Sequence, residues 1–410
     1  MSTYVDATSG AVEHCETMAN LHTELSEKYT EISTLCRSKL WHQLTMSIQT
    51  FINNPETNLR TTPEGTNSFL ALYDKVVLCV DKKLNPLSLA SIASSVADSL
   101  LRSDGTAAKA VLENLLEKKT RLGVPATLYT ESKLNLLLLV LMEQQPPDDI
   151  DMPTALQPVK ESIKKNAALL QELAVETSSS LVHSAHYECS MKYRKAVGPP
   201  EAFYQEAISY LNYTSIETME DPQSLAVDLS LAALTGDGVF NFGQIVTKPI
   251  LGVLKGTSYD WLVELIHTMA NGNVEAFHTL TSRYAQDIQA QPALVNRAAV
   301  VKEKIALLAL VNMVFDRPSN ERTLTFQEMA ERIQTDHVPD VELVVMRALS
   351  LKLMEGWLDQ VSQEFQVTWV MPRVLTNDQM KEMGSRFAEW AVKVSKTKDY
   401  MDDNTPSLFA

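Results

Sequence analysis

The sequence is poor in cysteine, glycine and proline, and it contains no long apolar run. Its four cysteines are spread over 410 residues without a Cys-x-x-Cys pair, as expected for thiols in a reducing compartment. Thirteen glycines and seventeen prolines are few for an all-β protein, which needs many tight turns. The longest apolar stretch, residues 136–142, is far shorter than the ~20 residues that a membrane-spanning helix requires. These absences indicate a soluble helical protein.

Positive charge is also scarce. The chain has 36 Lys and Arg against 51 Asp and Glu, a formal net charge of −15. Such a charge opposes non-specific attraction to nucleic acid or anionic lipid, because their phosphates are repelled. The first residues lack the basic and apolar regions of a secretory signal. We therefore expect a protein of the cytoplasm and nucleus that binds neither nucleic acid nor membrane.

Recognisable catalytic motifs are missing as well. His183 and His186, with Glu188 and Cys189, form the only cluster of metal-ligand residue types. A stable zinc site normally takes three or four ligands in tetrahedral geometry, so partly buried helix histidines are the favoured interpretation. Residues 236–238, Gly-Asp-Gly, are not followed by the Gly-Lys-Ser/Thr of a phosphate loop and predict a turn between helices. The sequence thus predicts no enzyme activity, no cofactor and no metal.

Helix-forming stretches rich in Leu, Ala, Glu, Lys and Gln dominate what is present. Residues 12–214 read as a succession of amphipathic helices separated by short breakers that contain Pro, Gly or Asn. Their spacing suggests stacked helix pairs without a strict sequence repeat. Residues 134–142 are apolar nearly all round and predict a central helix covered on both sides.

Residues 300–372 predict a helix, a short strand, two helices and a pair of strands, which is the element order of a winged helix. The short strand is Thr323–Thr325, and a capping box between Thr325 and Glu328 starts the next helix. Gly356 is predicted to end the last helix. Residues 365–369 alternate as a half-buried strand does.

This winged helix is acidic, with seven basic residues against eleven acidic ones. A winged helix that binds DNA needs Lys and Arg against the phosphates. Its last helix carries a core face that includes Val341 and Val345, and a second apolar face of Leu343, Met346 and Leu353. The second face takes the place where a DNA-binding helix presents polar side chains to base edges. We therefore predict a protein partner for it.

The final predicted helix, residues 378–398, carries an apolar seam. Its members recur at alternating three- and four-residue steps, and they are Met380, Met383, Phe387, Trp390 and Val394. The seam packs either on the helix's own domain or on helices of other subunits, and the spacing alone leaves both open. Burying five such side chains contributes on the order of 10 kcal/mol before ordering costs.

Several motifs, in order along the chain, resemble the PCI-domain family. They are Gly238-Val-Phe-Asn-Phe-Gly243 with Lys248-Pro-Ile-Leu251, Trp261-Leu262 with Asn271-Gly-Asn-Val274 and Phe277, Leu324-Thr-Phe326, Val341-Glu-Leu-Val-Val-Met-Arg-Ala348, and Val367-Thr-Trp-Val-Met-Pro-Arg-Val374. Within that family they are similar to subunits of the proteasome regulatory-particle lid. The likeness is dense from about residue 202 onward and looser before it.

The resemblance implies a mainly α fold in three parts. Residues 1–200 are an α-helical repeat solenoid, and residues 201–372 are a PCI module of helices plus a winged helix with a small antiparallel sheet. Residues 373–410 are a C-terminal bundle helix and tail. In this family, PCI modules associate side by side through their winged helices. Leu343, Met346, Leu353 and the five seam residues are accordingly the predicted interaction residues.

The function that the resemblance implies is structural. It is a non-catalytic subunit that scaffolds the lid for ubiquitin-dependent protein degradation. The implied partners, in a hetero-oligomer, are other PCI subunits, deubiquitinase-type lid subunits and the ubiquitin-receptor subunit. A PCI scaffold subunit of another complex, the signalosome or a translation initiation factor, is the alternative.

Overall fold

The computed structural model is mainly helical, as predicted, with one small sheet near the C-terminal end. It describes residues 7–21, 25–53, 63–101, 103–144, 152–173, 179–219, 221–317, 322–335, 337–372 and 377–404. The chain forms two compact units, Met1–Ser215 and Ile216–Ala410. None of the described helices combines the length and the apolar character needed to span a membrane.

The first unit is built from helices that pack mainly on neighbours close in sequence, as in helical repeats. They are α1 (Ala7–Leu21), α2 (Ser26–Arg37), α3 (Trp41–Asn53), α4 (Pro63–Leu72), α5 (Pro86–Leu100), α6 (Gly105–Glu117), α7 (Lys119–Gln144), α8 (Met152–Ala155), α9 (Gln157–Glu172), α10 (Ser180–Val197) and α11 (Pro200–Tyr213). A π-helical turn, Tyr73–Val77, continues α4. Helix α11 packs on α10 and belongs to this unit, which ends at Ser215.

Helix α7 is the centre of the first unit. It packs against α5, α6, α9 and α10, and Leu136, Leu137 and Leu139 are all buried. The backbone of Gly123 has a positive φ, which interrupts the helix near its start. The prediction of a central helix covered on both sides over residues 134–142 is confirmed.

The second unit begins with a group of helices and short turns. They are α12 (Pro222–Thr235), α13 (Gly243–Val246), the 3₁₀ turn Pro249–Leu254, α14 (Asp260–Asn271), α15 (Val274–Arg283), α16 (Ala285–Gln289), α17 (Pro292–Asn296) and α18 (Ala298–Asp316). Lys304 of α18 is buried, and its Nζ donates a hydrogen bond to the carbonyl of Ala233 at 2.8 Å. The same ammonium lies 5.9 and 5.8 Å from the ring centroids of Phe240 and Phe242. These contacts fix α18, the helix on which the winged helix is built.

The winged helix consists of β1 (Thr323–Thr325), α19 (Phe326–Ile333), α20 (Val338–Ser350), β2 (Met354–Asp359) and β3 (Glu364–Val370). Its strands are antiparallel in the order β1-β3-β2. The predicted capping box is present, since the Thr325 amide donates to the Glu328 carboxylate at 3.0 Å and the Glu328 amide donates to the Thr325 hydroxyl at 3.3 Å. Both the winged-helix order and the small antiparallel sheet are confirmed.

Gly356 does not end a helix, and that prediction is wrong. Helix α20 stops at Ser350, and Gly356 lies inside β2. A Cβ at this position would collide with the carbonyl group of Gln366 on β3. The glycine is therefore required by close backbone approach in the sheet and not by a left-handed helix end.

Candidate interaction surfaces

The last helix, α21 (Asn377–Asn404), presents its side chains to solvent. Every side chain of α21 that the structure describes is exposed. All five predicted seam residues fall on one face of this single helix, namely Met380, Met383, Phe387, Trp390 and Val394. The described part of the chain thus leaves the seam largely uncovered. Residues 373–376 and 405–410, which complete the predicted bundle helix and tail, lie outside the described residues.

The seam is longer than its predicted extent. Helix α21 continues past Lys398, the predicted end, to Asn404. Met401 lies seven residues after Val394 and extends the same face, with Thr397 between them. Met401 is not among the predicted seam residues, because the acidic residues around it obscure the repeat in the sequence. A helix of 28 residues therefore carries the seam along most of its length.

Helix α20 has the two faces that its spacing predicts. Val341, Val345 and Ala348 are fully buried against the sheet and α18, α19. Leu343 and Met346 are exposed on the other side of the helix. These two side chains remain candidates for an interaction surface.

Leu353 does not belong to that surface, and its predicted position is wrong. It is only 1% exposed and lies in the winged-helix core. Because α20 ends at Ser350 and Lys352 adopts a positive φ of 55°, the chain reverses before Leu353. The Leu353 amide then donates to Ala348, and its carbonyl accepts from the Met371 amide at 2.8 Å. Helical spacing does not apply beyond the end of the helix.

Two exposed tryptophans, Trp357 and Trp369, were missed by the sequence analysis. Alternation along β3 places Trp369 on the buried face with Phe365 and Val367. A β-bulge at Thr368, opposite Glu355 and Gly356, shifts the register, however, so that Val370 turns inward and Trp369 turns outward. No local signal marks such a bulge except the glycine on the facing strand.

The charges beside α20 and β2 are negative. The Glu342 carboxylate accepts a hydrogen bond from the Gln360 side chain at 3.0 Å. The pKa of Asp359 lies below its usual value because its carboxylate accepts hydrogen bonds from Ser362 and from the Val361 amide. Asp359 is therefore charged at neutral pH. This surface suits a partner that is apolar at its centre and positively charged at its edge.

The His183 cluster does not form a metal site. His186 is buried, and burial lowers its pKa to about 4. Burial also raises the pKa of the Cys189 thiol to about 12, so it remains protonated. Glu188 forms an ion pair with Lys133 at 2.9 Å. Within the described ranges, no group of three or more His, Cys, Asp or Glu side chains could hold a metal ion.

His183 instead contributes to a stack of rings on the first unit. Its imidazole lies 4.6 Å from the ring centroid of Tyr213, which in turn lies 5.7 Å from that of Tyr187. Burial lowers the pKa of His183, so the ring is neutral at physiological pH. This arrangement is packing between α10 and α11.

Known families and proteins match nearly the whole chain. Residues 28–266 match the family of PSD13 N-terminal repeats, and residues 281–369 match the PCI domain. The first match covers more than half of the chain. The second contains the exposed residues of α20, β2 and β3.

Two relatives match along almost their full length. The 26S proteasome non-ATPase regulatory subunit 13 homolog B of Arabidopsis thaliana is 31% identical over 98% of this chain and 99% of its own. The 26S proteasome non-ATPase regulatory subunit 13 of Dictyostelium discoideum is 30% identical over 98% of this chain and 100% of its own. Eukaryotic translation initiation factor 3 subunit M of Neosartorya fischeri, at 26% identity, matches only 42% of this chain. The likeness to that initiation factor is thus partial.

Proposed function

Because the chain belongs to the family of 26S proteasome non-ATPase regulatory subunit 13, with PSD13 N-terminal repeats and a PCI domain, we propose that it is a structural subunit of the proteasome regulatory particle. In this proposal it is a non-catalytic member of the lid. It scaffolds lid assembly for ubiquitin-dependent protein degradation. The relatives that match over almost their full length support this function over a role in translation initiation.

The exposed apolar seam of helix α21 is the observation that carries the proposal. A helix in water gains most of its stability from packing an amphipathic face, and the seam of α21 is exposed. Burial of five to six large apolar side chains in a helical bundle would supply on the order of 10 kcal/mol before ordering costs. Assembly with other subunits provides the missing packing surface.

The partners in this proposal are other PCI subunits, deubiquitinase-type lid subunits and the ubiquitin-receptor subunit. The PCI neighbours would dock on the winged helix, where Leu343 and Met346 are exposed. The seam of α21 would enter a bundle with helices of the other lid subunits. The complex would act in the cytoplasm and nucleus.

Purification of the tagged chain from its own cells tests whether it is a subunit of the regulatory particle. We expect the other regulatory-particle subunits to co-purify in near-equal amounts, as measured by quantitative mass spectrometry. Recovery of the chain without them would overturn the proposal.

Removal of the residues after Leu375 tests the role of α21. Because the described side chains of α21 are exposed, the truncated chain should unfold at nearly the same temperature as the full chain. Its incorporation into regulatory particles should fall at least tenfold in competition with the full-length chain. Equal incorporation would show that the seam is dispensable for assembly.

Partial similarity to initiation factor 3 subunit M makes an RNA-associated PCI scaffold the second candidate. Contact with RNA would weaken steeply with salt, because phosphate binding releases counterions. The acidic winged helix predicts no salt-dependent binding in a titration with single-stranded RNA. Such binding would favour the second candidate.

A further inference from the structure

A cavity of about 330 Å³ lies in the first unit, between the turn that precedes α5 and the junction of α6 with α7. Its floor is apolar and is formed by Leu84, Pro86, Leu89, Leu115 and Leu122. The four leucines are at most 7% exposed, so they lie beneath the mouth of the cavity and do not form a surface patch. The volume is at the small end of the range for ligand pockets, roughly 300–1,000 Å³. The cavity therefore suits a short segment with one large apolar side chain and not a folded surface.

The mouth of this cavity is basic. Lys82, Lys118 and Arg121 line it, and of the described lining residues Asp81 alone is acidic. Lys82 is exposed, and the side chain of Arg121 is 59% exposed. The chain as a whole carries a net charge of −15, so three cations against one carboxylate run opposite to its composition. A local excess of cations in an acidic protein attracts an anionic group to this point.

Asp81 holds the cations of the mouth in position. Its side chain is only 13% exposed, and its Oδ2 accepts a hydrogen bond from Lys118 Nζ at 3.2 Å and lies 3.9 Å from Arg121 Nη1. The Arg121 amide donates to the Lys118 carbonyl at 3.0 Å, so both side chains leave the same turn of the backbone. Cations that are already positioned lose less conformational entropy when they bind an anion. The mouth is therefore preorganised for a negatively charged ligand.

The two parts of the cavity together select the chemistry of the ligand. An inorganic anion would satisfy the mouth and leave the apolar floor unfilled, and a neutral apolar peptide would do the reverse. Nucleic acid carries a charge on every unit and needs a basic track, whereas the basic lining here is confined to three side chains. An acidic peptide with one apolar side chain satisfies both the mouth and the floor.

We propose that this cavity binds a short acidic segment of another protein. One Leu, Ile, Phe or Met side chain of the segment lies on the apolar floor, and its Asp or Glu side chains face Lys82, Lys118 and Arg121. The site lies wholly within the first unit and does not depend on the surfaces proposed for assembly. It gives the chain a peptide-binding activity in addition to its structural role.

A titration of the full-length chain with labelled peptides tests the site. The probes are pentapeptides with Asp or Glu on both sides of a central Leu, Ile, Phe or Met, and fluorescence anisotropy measures binding. We expect saturable binding that weakens at least tenfold in a Lys82→Glu, Arg121→Glu variant, because attraction becomes repulsion. The control, Lys164→Glu with Lys165→Glu, makes the same change in charge at exposed positions of α9 outside the cavity and should keep the affinity. Thermal unfolding of each chain verifies that the variants fold.

Changes in the peptide separate the floor from the mouth. Serine in place of the central apolar residue should weaken binding several-fold, and added salt should weaken it further, because exposed charges are screened. Equal affinity of the wild-type chain and the Lys82→Glu, Arg121→Glu variant would overturn the proposal, as would failure of every pentapeptide to saturate. Displacement of the peptide by an equal concentration of single-stranded RNA would also overturn it, because the site would then recognise negative charge alone.

Discussion

Replacement of Phe387 and Trp390 by alanine should weaken assembly without unfolding the isolated protein. Both side chains lie in the middle of the α21 seam, and both are exposed in the isolated chain. Alanine therefore removes few contacts within the chain itself. It removes two central anchors from the proposed bundle.

The size of the effect follows from the exposed area. Phe387 is 62% exposed and Trp390 is 65% exposed, so each has more than half of its surface left to bury. Complete burial of a large apolar side chain contributes ~1.5–3 kcal/mol, and Trp lies at the upper end. The double substitution should thus cost roughly 3–4 kcal/mol of binding free energy, or about two to three orders of magnitude in affinity.

The assay measures incorporation of the variant into regulatory particles in competition with wild-type chain. A matched pair of single substitutions controls for helix stability and charge. Val394→Glu changes the seam, and Val392→Glu makes the same change on the opposite face, where Val392 is 54% exposed against 47% for Val394. Both remove one β-branched residue from α21. We expect only Val394→Glu to lower incorporation.

The opposite pattern would refute the reasoning. If the double alanine variant lowers the unfolding temperature of the isolated chain by several degrees and enters particles normally, the seam packs within its own chain. Equal effects of Val392→Glu and Val394→Glu would show that α21 acts through its helicity and not through one face.

Three further predictions concern stability. In the unfolded chain His186 takes up a proton below pH ~6.5, whereas the buried ring of the folded chain, with a pKa of about 4, stays neutral. The free energy of unfolding should therefore fall by up to roughly 3 kcal/mol as the pH drops from 6.5 towards 4. Denaturant titrations should show a weaker pH dependence for His186→Leu. Gly272→Ala should cost more than ~1 kcal/mol in the same assay, because Gly272 has a φ of +60° and a Cβ there would meet the Leu308 carbonyl. Gly384→Ala, in open space on α21, should stabilise that helix by up to ~1 kcal/mol, measured by circular dichroism.

Local signals made much of the fold predictable. The capping box depends only on Thr325 and Glu328, three residues apart, and it starts α19 where expected. The buried face of α20 follows from the helical spacing of Val341, Val345 and Ala348. The face of the α21 seam follows from the same principle. These features could be read from sequence because each lies within one helix.

The errors fall where the chain leaves regular structure. Leu353 was assigned to a helix face although the helix ends three residues earlier. Trp369 was placed with Phe365 by alternation, which a single bulge inverts. Gly356 was predicted to end a helix, because in the sequence a glycine needed for close contact between strands cannot be told from a glycine that ends a helix. The errors at Trp369 and Gly356 depend on how β2 meets β3, and residue spacing along one strand does not contain that information.

The error at Trp369 has a functional consequence, since the bulge that turns Trp369 outward also places it with Trp357 on the exposed face of the winged-helix sheet. The two candidate surfaces then differ in physical role. The seam of α21 is apolar along its length, so its burial acts mainly on the dissociation rate. The exposed face of the winged-helix sheet combines Trp357 and Trp369 with the carboxylates of Glu355 and Asp359, so in the proposed assembly its charges would act on encounter and orientation and weaken with salt. An acidic winged helix has little affinity for phosphate, and in the proposed assembly its charge would favour protein neighbours with basic surfaces.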